Sequence, residues 1–160
     1  MRKKIYFNFD EEIGVTIATL KTRIGTFLGS SKQNDDDPLH PSFMVGSIIA
    51  EARAYIKFIN KKIALKRYEL KGLKRLKGSM PSSVEGYHYV ENLYDTILDE
   101  ILMLKREKKA WKDQINSAIK SRELYIRIRT TDKKAKEEML NNIKQGFKTL
   151  ENISKEDKKD

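Results

Sequence analysis

Gly78-Ser79-Met80-Pro81-Ser82-Ser83-Val84-Glu85-Gly86 punctuates the middle of this 160-residue chain, whose prolines number only three. Glycine, proline and serine at this density break helices and make turns. Before it, Val45, Ile49, Ala52, Ile56, Ile59, Ile63, Leu70 and Leu73 form an apolar stripe with Lys66 at one stripe position. After it, the stripe is Val90, Tyr94, Ile97, Ile101, Leu104, Trp111, Ile115 and Ala118, with Lys108 at the gap. Both stripes step by roughly 3.5 residues, the period of coiled-coil packing. The spacing predicts helices over 42–77 and 85–120, folded antiparallel about the turn.

Working outward, residues 29–41 have no periodicity and read as a loop. Ahead of them Ile13, Ile17, Leu20, Ile24 and Phe27 step 4-3-4-3, which predicts a helix over 11–28. Asp10 suits its N-cap, Glu11 and Glu12 its first turn, and Gly29 its stop. Gly14 and Gly25 inside it cost stability or allow close packing. Residues 3–9 put Ile5, Phe7 and Phe9 on one side of an extended strand, or lead into the helix. Residues 122–129 read as helix, with a strand pairing to 3–9 as the alternative. A two-stranded sheet is marginal alone, so helix is favoured. Thr131 then caps a helix over 132–150, with Ala135, Met139, Ile143, Phe147 and Leu150 as its stripe. Residues 151–160 read as a disordered tail. The expectation is an all-α fold in one domain over 1–150: a long antiparallel hairpin, two flanking helices and coiled-coil-like packing. Long stripes left partly uncovered point to a homo-oligomer.

The chain has no cysteine, which excludes disulfide scaffolds, thiol nucleophiles and cysteine-ligated zinc. It has no apolar run of the roughly 20 residues a membrane span needs and no signal-peptide core, so a cytoplasmic location is expected. Lysine, isoleucine and asparagine are abundant, a bias of AT-rich coding sequence such as that of low-GC bacteria and their phages.

Lys and Arg number 33 against 23 Asp and Glu, a net charge of +10. The excess is uneven: residues 41–80 carry net +8, while residues 1–40 balance to zero. Folding the hairpin sorts it further. Near the turn, residues 63–77 carry net +5 and residues 83–101 net −5, which pair across the helices. Away from the turn, both segments are basic. Arg53, Lys57 and Lys61 on one helix meet Lys105, Arg106, Lys109 and Lys112 on the other. Such a patch attracts polyanions. Its lysines suit phosphate contacts better than bidentate base reading.

Catalytic constellations are missing from the sequence. Asp35, Asp36, Asp37 and His40 cluster in the loop but lack the spacing of a calcium-binding EF-hand. His88, Glu91, Asp95 and Asp99 share a helix face, yet facing ligands are lacking and pairing with lysine explains them. Neither histidine sits in a serine-and-acid arrangement, and no Walker-type loop occurs. Trp111 lies on the apolar stripe, where core packing outranks base stacking. The linker is too loose for a compact helix-turn-helix. These observations point to a protein that is not an enzyme and needs no cofactor or metal. The expected role is a small accessory or regulatory protein that binds nucleic acid, DNA rather than RNA, through phosphates. The alternative is a protein-interaction module that docks an acidic partner, as an inhibitor or assembly adaptor would.

Overall fold

A computed structural model describes residues 3–156, with side chains described for 3–145. The element order is β1 (Lys4–Asp10), β2 (Val15–Thr22), β3 (Gly25–Lys32), α1 (Phe43–Ser79) and α2 (Tyr87–Glu156). The fold is therefore α+β and the all-α expectation is overturned. A three-stranded antiparallel meander, in the order β1-β2-β3, runs from the segment read as a strand or lead-in through the one read as a helix and into the first residues of its following loop.

The signals that favoured a helix there have local explanations. Asp10 does accept hydrogen bonds from the Glu12 and Ile13 amides, at 3.1 and 3.3 Å, as an N-cap would. The chain then turns at Gly14, whose φ of 63° lies in the left-handed region, so the turn closes instead of propagating as helix. Gly25, with φ 142°, completes the tight β2–β3 turn, where the Thr22 hydroxyl donates to the Gly25 carbonyl and accepts from the Ile24 amide. Between these turns, Val15, Thr16, Ile17 and Thr19 are β-branched and prefer strand. The alternation that wins is Thr16, Ala18 and Leu20, all buried, against the exposed Ile17. Ile13 and Ile24, two members of the 4-3-4-3 stripe, sit exposed at the two turns. Residues 3–9 are indeed extended, but their partner is β2, with Ile5 opposite Leu20 and Phe9 opposite Thr16. Residues 122–129 are helical, within α2.

One face of the sheet packs on α1. Gly29 of β3 lies directly against the helix backbone. A Cβ built there would meet the Ala50 carbonyl oxygen at 1.9 Å and the Ala54 amide at 2.5 Å. Gly46 of α1 has the converse role, since a Cβ there would fall 2.2 Å from the Thr16 hydroxyl of β2. Ala18, Ala50 and Ala54 are fully buried around this contact. Larger side chains fill the wedge on either side. Phe27 packs on Phe58, with ring centroids 5.5 Å apart, and Phe43 packs on Phe7 and Phe9 at 6.1 and 5.5 Å.

The N-terminus of α1 is capped by Ser42, whose hydroxyl accepts from the Val45 amide. α1 and the first part of α2 run antiparallel. Ascending α1, Tyr55 stacks on Trp111, Lys66 meets Glu100 and Lys77 meets Glu91. Ile59 and Ile63 join Ile97, Ile101 and Leu104 in the same buried cluster as Ala18 and Leu20, with Leu70, Leu73 and Trp111 packed at its margin. One core thus unites the sheet, α1 and this part of α2.

The chain divides into two compact units, Met1–Lys120 and Ser121–Asp160. Within the second, residues 121–156 are the continuation of α2, and the expected break before residue 132 is absent. Thr131 does not cap a new helix. Its hydroxyl donates to the Arg127 carbonyl, while Thr130 donates to Ile126 and Arg127, so both bond back onto the preceding turn. α2 extends to Glu156, into the segment read as a tail, and residues 157–160 lie outside the described residues.

The glycine contacts generate a paired test. Gly29→Ala should destabilise the fold by about 1–3 kcal/mol through overpacking against helix backbone. Gly72→Ala, within α1 and with nothing within 4 Å of the added Cβ, should stabilise by about 0.5–1 kcal/mol. Urea unfolding of both variants beside the parent chain reads the two signs.

Candidate functional site

α1 and α2 present their charges according to helical periodicity. Residues three or four apart lie on one face, so contacts at one seam of the helix pair locate the other seam. Tyr55 and Lys66 of α1 meet Trp111 and Glu100 of α2 and mark the first seam. Glu51 and Glu107 sit close to Tyr55 there. Burial pushes the Tyr55 hydroxyl above its ordinary pKa, and these two carboxylates push it further. Lys3 lies over the Tyr55 ring at 5.6 Å, so charges of both signs meet at this seam, and its aromatic pair is occupied: the rings are parallel, 6° apart in plane, at 4.4 Å. Trp111 is therefore engaged within the protein.

Arg53 on α1 and Lys105, Lys109 and Lys112 on α2 lie along the opposite seam, with Lys57 one turn beyond Arg53. All five are exposed and none forms an ion pair among the described residues. The remaining two of the seven sequence-derived candidates sit elsewhere by the same periodicity. Lys61 is turned further round α1, and Arg106 lies on the outer face of α2; both are exposed. Arg53 also braces the sheet, because its guanidinium donates to the Ser30 carbonyl at 2.6 Å. That carbonyl belongs to β3, an edge strand, and the arginine occupies a backbone acceptor that would otherwise invite another chain. Nothing in the helical stripes of the sequence signals this contact, because it depends on β3 being a strand.

At the turn end, charges are neutralised within the protein. Lys77 donates to Glu91 at 2.7 Å, and Lys66 contacts Glu100 at 2.8 Å and Glu69 at 3.1 Å. Hydrogen bonding to these carboxylates holds both ammonium groups above their ordinary range, Lys66 mainly through Glu100. Lys77 in turn holds the Glu91 carboxyl below its ordinary range, with His88 adding to the effect. The basic seam remote from the turn thus stands apart from the internally paired end.

The described residues hold no group of three or more His, Asp or Glu side chains placed to bind a metal ion. His88 approaches Glu91 at 3.6 Å, and Asp35 pairs with Lys32. Among the described residues, no helix is long and apolar enough to cross a membrane. No protein family, curated protein or solved structure matches this chain.

The Lys77–Glu91 pair has a defined pH signature. Glu91 titrates lower when folded, so its contribution is fully present above the ordinary carboxylate pKa and lost as pH falls through the lowered folded value. Lys77 titrates higher when folded, so its contribution survives neutral pH and is lost only as pH rises through the raised value. Glu91→Gln should therefore flatten the acid limb of a stability-versus-pH curve, the two proteins converging once Glu91 is protonated. Chemical denaturation across the carboxylate range measures it.

Proposed function

We propose that this protein is a small accessory or regulatory factor, without catalytic activity, that binds nucleic acid through its phosphates. The observation that carries the reading is the basic seam of Arg53, Lys57, Lys105, Lys109 and Lys112, exposed and without ion pairs among the described residues. Exposed lysines spaced by helical turns form a line of point charges that follows a phosphate backbone without reading bases. DNA is the preferred polymer in this reading and the cytoplasm the expected compartment.

Charge reversal tests the assignment. Lys105→Glu, Lys109→Glu and Lys112→Glu together should abolish retention of duplex DNA while leaving the helical circular-dichroism signal intact. Parent protein should show a log–log salt slope of about −4.5 if about five phosphates are neutralised, at roughly 0.9 per phosphate. Unchanged retention by the triple variant would reject the assignment.

A second reading, a protein-interaction module, is favoured by the segment 121–145 of α2. Leu124, Ile128, Met139, Leu140 and Ile143 are all exposed there, an unusual density of apolar side chains for a solvated helix. Binding through this face should persist as salt is raised, which separates it from phosphate contact.

A further inference from the structure

The first 40 residues are neutral in sum, yet the meander sorts their charges to opposite ends of the sheet. Because β1, β2 and β3 alternate in direction, the β1–β2 turn and the chain leaving β3 meet at one end. The Gln33 amide donates to the Gly14 carbonyl at 2.9 Å and joins them. This end gathers Asp10, Glu11, Glu12, Asp35, Asp36 and Asp37, with Lys32 already bound to Asp35 at 3.1 Å. Ile13, at the tip of the turn beside Glu11 and Glu12, is 60% exposed.

The other end holds the start of β1 and the β2–β3 turn. Lys4 and Lys21 are register partners there, and a groove of about 330 Å³ opens between the turn and α1. Ile24, Phe58 and Leu65 supply its apolar lining, and Lys3, Arg23 and Lys62 bring positive charge to it. Lys3 and Lys62 lie over the Phe58 ring, at 5.0 and 5.5 Å from its centroid. Lys66 and Glu69 also line the groove but are bound to each other. Among the described residues, Lys3, Arg23 and Lys62 have no carboxylate partner.

We propose that the β1–β2 turn of one copy docks in this groove of a second copy, Ile13 on the apolar lining and Glu11 and Glu12 against Lys3, Arg23 and Lys62. A single chain cannot make the contact. Strands of 7 or 8 residues hold the two ends roughly 25 Å apart at about 3.4 Å per residue. The occupant is a second copy because charge and apolar character are complementary between two surfaces of this one chain. Knob and groove lie at opposite ends, so the contact is heterologous and builds rings or open chains rather than a two-fold dimer. It rests on the sheet and is independent of the nucleic-acid reading.

Sedimentation of nuclease-treated protein at low salt tests it, with circular dichroism as the check on folding. The weight-average mass of the parent chain should rise with concentration. Glu11→Arg with Glu12→Arg should lose that rise, and so should Arg23→Glu with Lys62→Glu. An equimolar mixture of the two double variants should recover it, since each knob then meets a groove of opposite charge. Ile13→Asp, at an exposed turn position, should lose the rise without touching the groove. A parent chain that stays monomeric, variants that keep the parent's rise, or a mixture that stays monomeric would each overturn the proposal.

Discussion

The fold depends on how closely a strand can approach a helix. Gly29 places the β3 backbone against the carbonyl and amide of Ala50 and Ala54, and Gly46 admits the Thr16 hydroxyl to the helix surface. With small side chains at this contact, Ala18, Ala50, Ala54 and Thr16, sheet and helix come near enough for Leu20 and Phe58 to enter the buried cluster that also receives Ile101 and Leu104 from α2. Interiors are packed at crystal density, so a methyl group at this point has nowhere to go. Close approach at the centre and aromatic wedges at the sides, Phe27 on Phe58 and Phe43 on Phe7 and Phe9, form one mechanical unit.

That unit also decides which charges are available. Seating the sheet on α1 brings β3 alongside Arg53, whose guanidinium then holds the Ser30 carbonyl. The helix pair engages Lys66 and Lys77 with Glu100 and Glu91. Lys105, Lys109 and Lys112, without such partners, lie on one flank of the helix pair, Lys3 and Lys62 line the groove beside Phe58, and acids gather at one end of the sheet. A chain with a net charge of +10 thus presents separated basic and acidic surfaces.

Legibility of the sequence varied with element length. The two long stripes around Gly78–Gly86 are sustained over many turns, and α1 spans Phe43–Ser79 where the stripe puts 42–77. A pattern repeated that often is hard to imitate by chance. Residues 11–28 carry only five stripe positions, and the same letters serve as two alternating strands joined by a tight turn. Within that window, Gly14 and Gly25 were the discriminating residues, being turn positions rather than flaws in a helix. Thr131 misled for a related reason: a threonine hydroxyl caps a new helix or bonds back to the turn before it, and its letter is the same in both cases.

The sequence by itself determined the two long apolar stripes, the turn between them and the uneven spread of lysine along the chain, because these follow from residue type and spacing alone. Only the tertiary structure decided that the N-terminal segment is a sheet, that Arg53 is tied to Ser30 and that a neutral stretch is split into an acidic and a basic end. Strand pairing joins residues far apart in sequence and sends alternate connections to opposite ends. Where a charge finally lies therefore depends on pairing, which no local period encodes.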